Sequence, residues 1–327
     1  MSVGAPQNWR INAFNRTTGI KGWRIDHIAW SYPSCAQNIA IMIDGITWGL
    51  LDHNSFTNAG NAIFIRSFAE GTDEVNPWPP DGSPGMGGYS WLLPLNLGTD
   101  EAVYVEDNSF TMGTGCYMGV GDMYYGGRMV FRHNQVLNAY WQNHATRSWE
   151  RGGSIKAEIY NNDFNATDSN WYRAIHIRSG TGVVFNNTLR GNFTTMQVDN
   201  QRSNGQNTSN PFGACNGSSP WDGNQQAGWP CLDQIGRSTG QYPSQPSVPL
   251  YVWNNGSSNG CHTGGSCNNN RTMSDDGDAK VQPGRDYINN GTTPKPGYSA
   301  LTYPHPLQGS GEQPILAPAP PSNLRLQ

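Results

Sequence analysis

Six segments of the chain repeat one pattern of apolar and polar positions: residues 23–30, 49–56, 103–110, 129–136, 157–164 and 182–189. Each alternates apolar and polar residues, reaches Asn (Ile28 in the first), and returns to an apolar residue two positions on. With Ile28, Asn54, Asn108, Asn134, Asn162 and Asn187 as reference points, the spacings are 26, 54, 26, 28 and 25 residues. The doubled interval contains Ser67 to Gly98, a Pro- and Gly-rich stretch that reads as a single long loop. Alternation with period two predicts strands. A unit this short cannot bury its own apolar face, whereas stacked units bury a continuous column. Stacking sets Ile25, Leu51, Val105, Phe131, Ile159 and Val184 in one column, and Trp30, Phe56, Phe110, Val136, Phe164 and Leu189 in a second.

A further strand precedes these segments: Ala40 to Asp44, Ala62 to Arg66, Ala174 to Arg178 and, more loosely, Thr195 to Asp199. Its apolar residues point inward and the intervening ones outward. Each coil therefore reads strand, variable turn, strand, Asn bend, short strand. Asn suits the bend because it tolerates left-handed geometry and can hydrogen-bond the coil above, which predicts an asparagine ladder.

The predicted class is all-β: a right-handed parallel β-helix solenoid with long loops and an irregular C-terminal region. This pattern resembles the right-handed parallel β-helix proteins of the pectate-lyase-like superfamily, and more closely their uncharacterised secreted bacterial members. By repeat, the resemblance covers residues 20–205; Gly284 to Tyr298 with Tyr303 to Pro306 is similar to an end-piece of such proteins. One β-helix domain is expected over residues 1–308, with regular coils over 20–205 and a loop-rich capping region over 206–308. The Pro- and Ala-rich residues 309–327 read as a linker or tail. The superfamily carries lyases, hydrolases, epimerases and adhesins on one scaffold, so the resemblance implies a fold before an activity. The chain lacks the Asn-Thr-Asp, Gly-His-Gly and Arg-Ile-Lys motifs of polygalacturonases and the Arg-x-Pro-x-x-Arg signature of pectate lyases.

Composition fits a thin core with stacked polar turns: 35% hydrophobic and 13% charged residues, with 40 Gly and 22 Pro. A net charge of −4 excludes the basic footprint of a nucleic-acid binder. No apolar run approaches the roughly 18 residues of a membrane span. Residues 1–15 contain no apolar signal segment, so the chain reads as an internal start of a secreted, extracellular protein whose leader is missing. Local disulfides Cys215–Cys231 and Cys261–Cys267 are expected in an oxidising compartment, against the alternative of free buried thiols. Cys35 and Cys116 fall in different coils and read as unpaired. A monomer is expected, since no trimer-forming segment of the tailspike kind is visible.

The resemblance places catalytic groups on the strand before the turn that precedes the Asn bend. Outward residues there are Asp44, Arg66, Asp122, His144, His176, Arg178 and Asp199, stacked at about 4.8 Å per coil. Trp78, Tyr89 and Trp91 of the long loop could stack on sugar rings beside this ladder. A polysaccharide lyase needs a cation for the uronate, a base for the C5 proton and an acid for the leaving oxygen. Arg66 or Arg178 suits the first task, and His144 or His176 the others. An inverting hydrolase needs two carboxylates about 6.5–9.5 Å apart; Asp44 and Asp122, two coils apart, fall near that range. Alternating charge is also how a plain β-helix avoids like-charge contacts.

The expected function is a carbohydrate-active protein that binds, and cleaves or modifies, an extracellular polysaccharide; the alternative is a non-catalytic glycan-binding or adhesin-like module. A second row, Asp26, Asp52 and Glu106 ending at Arg132, would suit Ca²⁺ unless solvent screens it. The acidic run Asp275 to Asp278 is a weaker calcium candidate. His27, His53, Asp107, His133, Asn161 and Asn186 precede the Asn position, and alternation turns them inward to bond turn backbone.

Overall fold

A computed structural model describes residues 2–4, 9–13, 20–36, 38–67, 88–145, 153–167, 173–193, 195–199, 233–240, 245–256, 273–275 and 281–309. The first coils contain strands β1 (Ser2–Gly4), β2 (Trp9–Ala13), β3 (Ile20–Asp26), β4 (Ala29–Ala36), β5 (Ile41–Gly45), β6 (Thr47–Asp52), β7 (Ser55–Ala59) and β8 (Ile63–Arg66). After the short helix α1 (Gly88–Leu92) come β9 (Val103–Glu106), β10 (Ser109–Thr111), β11 (Gly119–Tyr124), β12 (Arg128–Arg132), β13 (Gln135–Leu137) and β14 (Tyr140–Gln142). The next coils hold β15 (Lys156–Tyr160), β16 (Asp163–Ala166), β17 (Arg173–Ile177), β18 (Thr181–Phe185), β19 (Thr188–Gly191) and β20 (Thr195–Val198). The last strands are β21 (Leu250–Trp253), β22 (Met273–Asp275) and β23 (Tyr287–Asn289), followed by the single turn α2 (Pro306–Gly309).

Every third strand falls in the same sheet over the regular coils, and every pairing is parallel: sheet 1 runs β1-β4-β7-β10-β13-β16-β19, sheet 2 β2-β5-β8-β11-β14-β17-β20-β22, and sheet 3 β3-β6-β9-β12-β15-β18-β21-β23. The chain is a parallel β-helix. Sheet 3 continues to Tyr287, so coils extend past the point near residue 205 where the repeat fades in the sequence.

Both predicted columns are in register. Ile25, Leu51, Val105, Phe131, Ile159 and Val184 pair successively in sheet 3, and Trp30, Phe56, Phe110, Val136, Phe164 and Leu189 in sheet 1. Trp30 stacks on Phe56 and Phe56 on Phe110, each at 4.8 Å, so aromatic faces fill the narrow interior that aliphatic residues complete. The asparagine ladder is present. Backbone N–H groups of Asn54, Asn108, Asn134 and Asn162 donate to the side-chain oxygen of the next Asn at 2.9–3.2 Å. Asn255 adds a rung beyond Asn187 at 3.1 Å, and at the other end Ile28 donates to Asn54.

The bend itself is made one residue earlier than expected. His27, His53, Asp107, His133, Asn161, Asn186 and Asn254 hold positive φ of 49–57°, while the ladder asparagines do not. A left-handed residue reverses the alternation, so these side chains point outward and not inward; His27 is 69% exposed.

Cys35 and Cys116, expected to be unpaired, form a disulfide across 81 residues of chain. Their coils lie two apart, yet both cysteines sit at the same corner, where β4 ends and the turn after β10 begins. Such a bridge removes entropy from a long unfolded loop. Cys35→Ser is therefore expected to lower unfolding free energy by about 2–4 kcal/mol in urea titrations, and reductant should shift the wild type towards the variant's midpoint. The expected pairs Cys215–Cys231 and Cys261–Cys267 lie outside the described residues. No helix among the described residues is long and apolar enough to cross a membrane.

Residues 290–309 form a strap over sheet 3. Tyr298 donates to Glu158 Oε2 at 2.6 Å, Arg132 donates to the Leu301 and Thr302 carbonyls at 2.7 and 3.0 Å, and the His305 N–H donates to Glu106 Oε1 at 2.8 Å. His305 is pushed down to about 4 by burial, with the charge of Arg132 acting in the same direction. Its ordinary value is 6.5, so its contribution to docking is complete above that pH and is lost as pH falls towards 4. At about 1.4 kcal/mol per unit the loss reaches about 3 kcal/mol. Hydrogen exchange of the 298–309 amides should show the added opening. His305→Asn, which keeps an acceptor for the Leu307 N–H, should flatten the dependence.

Candidate functional site

The outward residues of sheet 2 form two rows, set by the pleat. One runs Arg10, Met42, Phe64 and Asp122, continuing to Gln142, His176 and Gln197. The other lies two residues further along each strand: Asp44, Arg66 and Tyr124, then His144, Arg178 and Asp199 by extension of the same register. The single predicted ladder is thus split. Asp122 and His176 belong to the first row, and Tyr124 occupies the place expected for Asp122.

At one end the ladder is structural. Asp44 is fully buried and bracketed by two guanidinium groups, Arg66 at 2.6 and 2.8 Å and Arg10 at 2.6 Å. Both guanidinium groups occupy its oxygens, which leaves Asp44 poorly placed as the free carboxylate that an inverting hydrolase needs opposite Asp122. Arg66 is committed to the same pair.

The middle coils are different. Asp122 Oδ1 accepts from His144 Nδ1 at 2.7 Å and from its neighbour's backbone N–H at 2.9 Å, while Oδ2 accepts from Gln142 at 3.1 Å and Tyr124 at 3.2 Å. The carboxylate holds the proton of His144 on Nδ1 and leaves Nε2 as the basic nitrogen. Tyr124 lies flat on the imidazole, 4.5 Å between centroids. Arg178 Nε donates to the Asn143 carbonyl at 2.7 Å and Nη2 to Gln142 at 2.5 Å, which holds the guanidinium 3.5 Å from His144. One coil on, His176 Nε2 stands 3.7 Å from Asp199 Oδ2. All of these side chains are buried or nearly so.

Comparison with protein-family models, curated proteins and solved structures finds no match to this chain. Function has to be argued from the cluster itself.

Of the remaining expected residues, Trp91 is buried and donates to the Gly153 carbonyl at 2.9 Å, so it fastens the loop to a coil and offers no face to a sugar. Tyr89 is half-buried against Ile46 and Trp48. Trp78 and the acidic run after Asp275 lie outside the described residues.

The second acidic row does not assemble as a cation site. Arg24 binds Asp52 through two bonds at 2.8 and 2.7 Å and reaches Asp26 at 3.0 Å. Glu106 takes Arg132 at 2.5 Å along with His305 and Gln308. Guanidinium groups supply the compensation expected of Ca²⁺. Among the described residues no group of three or more His, Cys, Asp or Glu side chains is arranged to hold a metal.

Tyr124, Gln142, Asn143 and Arg10 are the site residues that sequence reading missed. Tyr124 carried a usable signal, since it stands two positions from Asp122 in an alternating strand and shares its face.

Proposed function

We propose that the chain is a secreted carbohydrate-active protein of the pectate-lyase-like kind that acts on an extracellular, uronate-bearing polysaccharide along sheet 2. The observation that carries this reading is the pair of imidazole–carboxylate contacts, Asp122–His144 and His176–Asp199, on neighbouring coils flanking Arg178. Elimination needs a fixed cation, a base and an acid. Arg178 would face the uronate carboxylate, and His144 Nε2 would take the C5 proton. The C4–O bond then breaks, a C4–C5 double bond forms, and the His176–Asp199 pair protonates the departing oxygen. Hydrolysis is less well supported because Asp44 is withdrawn into its arginine pair.

One observation favours binding without turnover: Arg178 already donates to Asn143 and Gln142. A panel of polygalacturonate, alginate and glycosaminoglycans separates the two. A lyase generates the ultraviolet absorbance of an unsaturated uronate. An adhesin-like module retains a glycan on affinity electrophoresis and generates none, and that result would overturn the catalytic reading.

A further inference from the structure

The corner between sheets 3 and 1 carries a file of left-handed residues on its outside: His27, His53, Asp107, His133, Asn161, Asn186 and Asn254. Asn, Asp and His all tolerate a positive φ better than other non-glycine residues, so the backbone does not choose between them. The three histidines in the file ask for a reason of their own. His133 has one in the packing: its ring stacks on Tyr303 at 3.7 Å and its Nε2 contacts Asn161 at 3.3 Å.

His27 and His53 are built differently. Their rings lie parallel, 5.1 Å between centroids and 4° between planes, and both are exposed, at 69% and 43%. Each Nδ1 faces the carboxylate of the residue before it, His27 to Asp26 at 3.3 Å and His53 to Asp52 at 2.7 Å. These carboxylates hold the proton on Nδ1 and turn the Nε2 lone pair towards solvent, which is the outer-shell arrangement found behind metal-binding imidazoles. Among the described residues no hydrogen bond reaches either Nε2. Arg24 Nη2 contacts the same Oδ2 atoms that face the two imidazoles, and its Nε donates to Asp52 Oδ1, which fixes both orienting carboxylates in place.

We propose that His27 and His53 form a two-imidazole surface site for a divalent transition-metal ion of the copper or zinc class, with Asp26 and Asp52 as orienting residues. Imidazole suits these ions, and solvent or an external ligand completes the shell. Metal–nitrogen bonds of about 2.0–2.1 Å at a tetrahedral angle need the two Nε2 atoms about 3.4 Å apart. Binding therefore turns the rings out of their parallel stack, and His27, the more exposed of the two, has the freer terminal torsion for it. The site is separate from the sheet 2 cluster and does not rest on the function proposed for it.

The file supplies its own control, because Asn at the same backbone position is already used in three other coils. Titration of the full chain with Zn²⁺, and Cu²⁺ electron paramagnetic resonance, should show one equivalent bound in the micromolar range through two nitrogen ligands. His27→Asn and His53→Asn should each lower affinity at least about tenfold, whereas His133→Asn should leave it unchanged. Absence of that equivalent in the wild type would overturn the proposal, as would its survival in both single variants.

Discussion

Replacing His144 with Ala is expected to lower kcat on a responsive uronate polysaccharide by about 10²–10⁴-fold, the usual range for loss of a general base, with KM changing far less. Asp122→Asn should fall in step with it. An amide in place of the carboxylate no longer fixes the proton on Nδ1, and the ring loses its 2.7 Å partner. Arg66→Ala is the informative contrast. Arg66 donates to Asp44 and Met42 at the far end of the ladder, so its loss should reduce stability and leave kcat largely intact. If His144→Ala turned over glycan at the wild-type rate while Arg66→Ala did not, the assignment of the two halves of the ladder would be reversed.

The contrast also shows what the sequence could and could not disclose. Column residues were legible because alternation at a period near 26 leaves one way to bury so many apolar groups, and Trp30, Phe56 and Phe110 stack as that requires. The bend was legible only to within one residue. At every corner but the first, two polar residues adjoin, as in His53-Asn54, and nothing in their chemistry says which one turns left-handed and which forms the ladder. Asp122 was misplaced for a related reason. Asp122 and Tyr124 lie on the same face of β11, and only the pairing of β8 with β11, which sets Arg66 opposite Tyr124 and Phe64 opposite Asp122, tells which of them continues the row. Cys35 and Cys116 were hidden by the long loop, which makes a two-coil separation look like a remote one. Asn255 follows the same strand-then-Asn pattern as the other rungs, but the residues between Val198 and Leu250 break the spacing that would have identified it.

Removing Arg132 is expected to have the largest effect on stability, about 3–5 kcal/mol for Arg132→Ala, because it strands a buried partner. Glu106 is fully buried, and burial already pushes its carboxyl up against the opposing pull of Arg132. The same guanidinium supplies the strap carbonyls of Leu301 and Thr302 with donors and lies 4.9 Å from the Tyr104 ring. Lysine's compact ammonium lacks the planar fork that spans these acceptors, so Arg132→Lys should recover only part of the loss. The double variant Arg132→Met, Glu106→Gln should lose less than the sum of its single changes, by about 1 kcal/mol or more, since neither group is then left charged and alone. Urea midpoints at constant slope measure each value. Additive effects would mean that Glu106 relies on His305 and Gln308 instead, and that the strap is held from its own side. Because Arg132 acts on sheet 3 and His144 on sheet 2, the strap variants should retain kcat at temperatures where they remain folded.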